Sequence, residues 1–359
     1  MFRERKMGQD GGKEPNKPRI RTMEELSVAI GVSRPTLSRY FQDPGAVSRS
    51  SAEKIRGGLD RVEYVPNFFA TRMNRKSTGI IGVLIPYLND LFFTKLLEAV
   101  ERAAMEAGYT VITQCSHSDA RIEARAAETF MSMSVDGALV APLGNHSDLK
   151  VHERLNSRLP FVLVDSRPDS LSNVDFVGTD HAQSTGLITD YLCQRGDPPI
   201  FLAMPRVNFN ALERENAYVA RMEAAGHPPV VIGTDAVDET WHFEAHGEAV
   251  LDACFSRGAH TRASILCAND RLAIGALRAA ARHGLEAGAT RHGGLRIAGH
   301  DDYPLCPFLT PSLTTVAQDV DAIGRAAVSR LVHKIRAEDA PSQQTVQLFP
   351  GAMKVRESA

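Results

Sequence analysis

Cysteine is scarce in this chain: five in 359 residues (Cys115, Cys193, Cys254, Cys267 and Cys306), widely spread and without a Cys-x-x-Cys pair. That spacing excludes a disulfide scaffold and a zinc ribbon, and reads as reduced cytosolic thiols that fill cores. No apolar run approaches the roughly 18 to 20 residues of a membrane span, so no membrane partner is expected. The first 21 residues are charged and lack an apolar stretch, so a secretory signal is not expected and the compartment read is the cytoplasm. Walker A, GxGxxG and GxSxG motifs are all missing, which leaves nucleotide, dinucleotide and serine-hydrolase chemistry without a signature. The expectation is therefore no cofactor, no metal, no catalytic residues and no enzyme. The stretch "HFEAH" does set His242 and His246 one helical turn apart. Its order is H-x-E-x-H rather than H-E-x-x-H, with no cysteine or third histidine nearby in sequence, and it reads as a solvent-exposed helix start.

What the chain does have is a split charge. Residues 1–76 carry sixteen Lys and Arg against nine Asp and Glu, while the remainder carries 25 against 34. The overall net charge of −2 conceals a basic head on an acidic body. A basic head suggests a polyanion as its partner.

Residues 1–19, rich in Gly, Pro and charge, read as a disordered basic arm. A compact helical block follows. Thr22 and Glu25 form a capping box ahead of an apolar face of Met23, Leu26 and Ile30. Gly31 breaks that helix, and Ser33 caps a second in which Pro35 is tolerated in the first turn and Leu37 and Phe41 face inward. Ser48 opens a third helix through Ile55, Leu59 and Val62, although Gly57-Gly58 should cost about 1 kcal/mol each against alanine. From residue 79 the texture changes to apolar runs alternating with amphipathic segments. "IIGVLIP", "YTVITQC", "VDGALVAP", "PFVLVDS", "PIFLAMP", "PVVIGT", "ASILCAND" and "LRIAGHDD" read as buried parallel strands. Their number and the helices between them predict a doubly wound α/β body of two sheets with a cleft between them.

This order, together with "GVSRPTLSRYFQD", "VS…YVPN", "IIGVLIPYLNDLFF", "VDGALVAP", "CANDRLAIGAL" and "LTPSLTTVAQDV", resembles the lactose/galactose repressor (LacI/GalR) family of transcription regulators over residues 20–355. The resemblance implies an all-α helix-turn-helix DNA-binding domain at 20–66 and a hinge helix at 67–78. It also implies a periplasmic-binding-protein-like core at 79–359, of two doubly wound parallel-sheet subdomains. The N-subdomain is expected at about 79–178 and 319–337, and the C-subdomain at about 179–318 and 338–359. The second helix becomes a recognition helix whose first residues reach base edges in the major groove. Arg34 and Arg39 can pair bidentately with guanine. Thr22, Ser33, Thr36 and Ser38 suit phosphate or base contact, and Pro35 can only pack. In the hinge, Asn67 is the expected cap, Ala70 permits close approach, and Met73 stands where the family has a leucine wedge.

For the body, the resemblance implies a small-molecule effector, a sugar or sugar derivative, held in the cleft. Phe92 and Phe93 follow Asn89 and Asp90 after the first strand. Strand ends supply Asp165, Asn269 and Asp301, the crossover supplies Gln318, and Arg214 falls on the effector arginine. Trp241-His242 stands near a pocket aromatic. Aromatic faces cover C–H surface while Asp, Asn and Arg satisfy hydroxyls. The resulting expectation is a cytoplasmic homodimeric repressor that binds a pseudo-palindromic double-stranded operator under effector control. A solute-binding protein and an α/β-fold enzyme without DNA function are the alternatives.

Overall fold

A computed structural model of the chain describes residues 17–67, 77–144, 147–168, 171, 173–234, 241–288, 294–337 and 344–359. The chain divides into two compact units at Thr78–Gly79.

The first unit is three helices, α1 (Met23–Ile30), α2 (Arg34–Gln42) and α3 (Arg49–Leu59), around fully buried Leu26, Leu37 and Ile55. Thr22 Oγ1 accepts from the Glu25 N–H at 3.1 Å, and the Glu25 carboxylate accepts from the Arg21 N–H at 2.9 Å. The capping box therefore closes one residue earlier than its usual reciprocal form. Gly31 ends α1 at φ 68°, a left-handed position that glycine adopts without steric cost. Ser33 and Ser48 cap α2 and α3. Position 58 of this helix is a glycine where a larger residue would clash: a Cβ there would stand 2.6 Å from the Ile30 side chain. The third helix stops at Leu59 rather than running through Val62. The disordered-arm reading of residues 1–19 needs correction at its end. The Glu63 N–H donates to the Pro18 carbonyl at 3.0 Å, and the Ile20 N–H to the Glu63 carbonyl at 2.9 Å. Backbone pairing thus ties 18–20 to the end of the block; residues 1–16 lie outside the described residues.

The second unit contains two parallel sheets. The six-stranded sheet has the order β11-β5-β4-β3-β1-β2, formed by Ile80–Ile85 (β1), Thr110–Cys115 (β2), Gly137–Val140 (β3), Phe161–Val164 (β4), Asp175–Thr179 (β5) and Val346–Phe349 (β11). The four-stranded sheet has the order β7-β6-β8-β9, formed by Ile200–Leu202 (β6), Val231–Ile232 (β7), Ser264–Cys267 (β8) and Arg296–Ala298 (β9). Thr315–Ala317 (β10) and Ala352–Lys354 (β12) pair antiparallel. β11 corrects the expected subdomain boundaries: it runs parallel beside β5, so 346–349 belong to the first sheet and not to the C-subdomain.

Helices α4 (Leu91–Glu106), α5 (Ala120–Ser132), α6 (Leu149–Asn156) and α11 (Val320–Arg336) belong to the first layer system; α7 (His181–Arg195), α8 (Phe209–Ala224), α9 (Phe243–Ser256) and α10 (Asp270–Arg282) belong to the second. Each sheet reverses its strand order once, between β1 and β3 and between β6 and β8. Such switch points open crevices at the carboxyl ends of the strands, where ligands bind in α/β folds. Among the described residues no helix is long and apolar enough to cross a membrane.

Candidate functional site

Two surfaces carry the chemistry. On the first unit, the start of α2 presents an outward face. Arg34, Pro35 and Arg39 are exposed, Thr36 and Ser38 are half-buried, and Leu37 turns into the core. Arg34 is held loosely, its Nη1 4.0 Å from the exposed carboxylate of Glu24. Such an exposed pair contributes little and leaves the guanidinium available. Thr22 and Ser33 are exposed caps, and Ser33 and Thr36 share a hydroxyl contact at 2.8 Å. Asn67 is exposed, whereas Ala70 and Met73 lie outside the described residues.

In the second unit a cleft is lined by Asp90, Phe92, Phe93, Asp165, Arg214, Trp241, Asn269, Asp301 and Gln318. These stand at the carboxyl ends of β1, β4, β8 and β9, in α8, ahead of α9 and after β10. Asn89 and His242 do not line it; both are exposed, because each side chain turns outward one residue before an inward neighbour. Met204, Asn208, Asn210 and Phe243 line it as well and escaped sequence reading. Asn210 had a legible signal, since it precedes Arg214 by one helical turn and shares its face. The cavity is small, about 30 Å³, room for a single water-sized body.

The polar side chains largely satisfy one another. Arg214 donates from Nη2 to Asp301 Oδ1 at 2.9 Å, from Nη1 to the Ala268 carbonyl at 2.7 Å, and from Nε to His181 Nδ1 at 3.4 Å. Gln318 donates to Asp301 at 2.7 Å and accepts from the Thr179 hydroxyl. Asn210 Nδ2 donates to Asp165 at 2.9 Å. Asp90 caps α4 through the Phe92 N–H, accepts from the Tyr303 hydroxyl, and takes Arg271 Nη1 at 3.2 Å. Arg271 is fixed further by Glu244 at 2.6 and 2.7 Å and by the Trp241 carbonyl at 2.8 Å. Asn208 and Asn269 spend their amide oxygens capping α8 and α10. Trp241 stacks on Tyr87 with centroids 6.0 Å apart and leans on Phe93 at 5.9 Å, joining the two subdomains by aromatic contact.

Burial sets the protonation of this site. It pushes Asp165 up to about 7 against the opposing pull of Arg214, with the charge of Asp301 adding to the rise. Burial also raises Asp90, and raises Asp270 to about 7. Asp301 is different: burial disfavours its charge, but Arg214 and the N–H of His300 hold it below the usual carboxylate range. Burial and the adjacent Arg214 depress His300 to about 4 and His181 well below its ordinary value, so both rings are neutral at pH 7. Two of the cleft carboxylates also have unusual backbones, φ 66° at Asp165 and φ 127° at Asp301. Non-glycine residues held there mark functional positions in many proteins. No group of three or more potential metal ligands occurs among the described residues.

A helix-turn-helix head followed by a two-sheet binding body defines a class of ligand-responsive regulators, and the chain is homologous in sequence and structure to LacI/GalR-family transcription regulators. A periplasmic binding protein-like domain matches residues 189–359. The ribose operon repressor of Escherichia coli K12 is 27% identical over 336 residues, covering 93% of this chain and 98% of that protein. The regulator PtxS of Pseudomonas aeruginosa is 28% identical over 354 residues, covering 97% and 98%. The lac repressor dimer bound to operator and the anti-inducer ONPF superposes with a TM-score of 0.80 at 23% identity, over 94% of this chain and 98% of that one. The complex of the regulator CelR with cellobiose gives a TM-score of 0.65 at 20% identity, over 94% and 99%. These relatives are transcriptional regulators, not enzymes.

Proposed function

We propose that this protein is a sequence-specific DNA-binding transcription regulator, a repressor whose operator affinity is controlled by a small polyhydroxylated effector held in the cleft. The observation that carries this reading is the convergence of Arg214, Asp165, Asp301 and an aromatic wall on one cleft, in a chain that also has a capped helix with exposed Arg34 and Arg39. Arg214 keeps two N–H groups beyond those the protein uses, and Asp165 and Asp301 supply acceptors. Vicinal hydroxyls, each both donor and acceptor, match that inventory. The cavity is far smaller than the roughly 300–1,000 Å³ of a usual ligand site, so binding requires the subdomains to part. That motion is the two-state element through which ligand and DNA affinity become linked.

The protein works as a homodimer in the cytoplasm on a pseudo-palindromic double-stranded operator, and the relative named as a lac repressor dimer on operator supports this. An apolar surface at Leu305 and Phe308, 49% and 82% exposed, supports self-association. The test is selection of duplexes from a random pool, followed by operator affinity with and without ligands found by a thermal-shift screen of sugars. Recovery of a two-fold symmetric site whose affinity changes with ligand is the expected result. Duplexes without any consensus, or an operator affinity that no bound ligand alters, would overturn the proposal.

A further inference from the structure

We propose that Lys17, Arg19 and Arg21 form a cationic row that holds the phosphate backbone of DNA beside the recognition helix α2. This rests on the reading of the first unit as an operator-binding head. It adds to that head a second contact surface, built from residues that precede all three of its helices.

The row is built into the fold. Residues 18–20 are held to the far end of the head by backbone pairing with Glu63, whose N–H donates to the Pro18 carbonyl at 3.0 Å and whose carbonyl accepts from the Ile20 N–H at 2.9 Å. Ile20 packs against the cluster of Leu26, Leu37 and Ile55. The Arg21 N–H is tied to the Glu25 carboxylate at 2.9 Å. In an extended chain alternate side chains share a face, so positions 17, 19 and 21 lie opposite the inward Ile20. All three residues are exposed. Among the described residues, none of the three side chains forms an ion pair or hydrogen bond, not even with Glu24, Glu25 or Glu63 close by in the fold. The backbone is fixed before any partner arrives, which spares most of the ordering cost that a loose basic tail would meet on binding.

Position in the head decides the occupant. Arg21 directly precedes Thr22, the cap of α1, and Glu24 in the first turn of α1 stands 4.0 Å from Arg34 at the start of α2. The row is therefore continuous with the outward start of α2, the surface that the head presents to DNA. A helix lying in a major groove has a sugar–phosphate strand along each flank. Cations mounted beside that helix meet the strand rather than the base edges, and such contacts set affinity and register without reading sequence. The surplus of Lys and Arg over Asp and Glu in residues 1–76, sixteen against nine, favours the same polyanion.

The experiment uses the full-length protein and the two-fold operator recovered by duplex selection, with affinity measured from about 50 to 200 mM salt. Each phosphate neutralised adds about 0.9 to the logarithmic salt slope, so three cations on each of two protomers contribute about 5. Lys17→Ala/Arg19→Ala/Arg21→Ala should flatten the slope by about that much. Across the range, the unmodified protein should lose about a thousandfold more affinity than the variant. Preference among singly mutated operators should stay the same. Arg19→Lys/Arg21→Lys should keep the full slope, since a phosphate accepts a point charge. The substituted side chains are exposed and Ile20 keeps its backbone pairs, so the head folds, and circular dichroism with thermal denaturation checks this. An unchanged slope in the alanine variant overturns the row and leaves operator binding through α2 standing. A lysine variant as weak as the alanine one, or an altered base preference, overturns the phosphate assignment in favour of base readout. A gain in operator affinity on alanine substitution also overturns it and makes the acidic remainder of the chain the partner of the row. If the unmodified protein prefers no duplex, the operator-binding reading fails and the row falls with it.

Discussion

Arg214 and Asp301, 87 residues apart in sequence, form a buried ion pair at 2.9 Å, the arginine rising from α8 and the aspartate standing at the end of β9 at φ 127°. Arg214 is therefore a structural partner as well as the proposed ligand contact. Truncating it to alanine strands a buried carboxylate, at about 3–5 kcal/mol. Urea unfolding of Arg214→Ala should show that loss, together with loss of effector binding. The double variant Arg214→Met/Asp301→Asn should recover most of the stability but not the binding. A single variant as stable as the unmodified protein would contradict the pairing.

Asp165 makes stability fall with rising pH. Its carboxyl titrates at about 7 when folded and about 3.9 when unfolded, so between these values the folded state holds a proton that the unfolded chain has released. Folding stability is therefore lost progressively from about pH 4 to pH 7, and Asp270 contributes in the same direction. Asp165→Asn removes the first contribution. Denaturation from pH 4.5 to 8.5 should give a shallower decline and a more stable protein at pH 8; the same slope in both proteins would refute the assignment.

Two adjacent glycines in α3 should respond oppositely to alanine. A Cβ at Gly57 meets only the end of Arg61 at 3.9 Å, so Gly57→Ala gains helix propensity, up to about 1 kcal/mol. A Cβ at Gly58 would press on three atoms of Ile30 at 2.6–2.8 Å, so Gly58→Ala should destabilise by about 1–3 kcal/mol. Thermal denaturation of residues 17–67, followed by helical signal within the intact chain, separates the two.

Arg39 is exposed on the outward face of α2 and has no described salt bridge. Arg39→Ala should cost about 1–3 kcal/mol at one symmetric pair of operator positions. Binding measured across a panel of operators mutated singly checks this. A uniform loss over all sequences would make Arg39 a phosphate contact.

The local elements were legible in the chain alone. Thr22, Ser33 and Ser48 are caps wherever hydroxyls precede such apolar faces, and β1, β3, β4, β6 and β8 follow from apolar runs too long and too β-branched to be exposed. β5, β10, β11 and β12 were not legible. "DFVGT" is short and opens on an aspartate that Arg330 and Lys334 neutralise at 3.0 and 2.8 Å, while β11 lies at a sheet edge with three of its four residues exposed. Their strand state comes from neighbours far along the chain, as tertiary pairing overrides weak propensity.

The same division runs through the cleft. Residue types at strand ends marked Asp90, Asp165, Arg214 and Asp301 as candidates. That Asp301 occupies Arg214, that Asp90 is spent on Arg271 and Tyr303, and that the Asn210 amide donates to Asp165 emerges from the folded chain alone. Hydrogen bonds between residues 45 to 213 positions apart leave no periodicity in a sequence, because they depend on which strand ends the two sheets bring together.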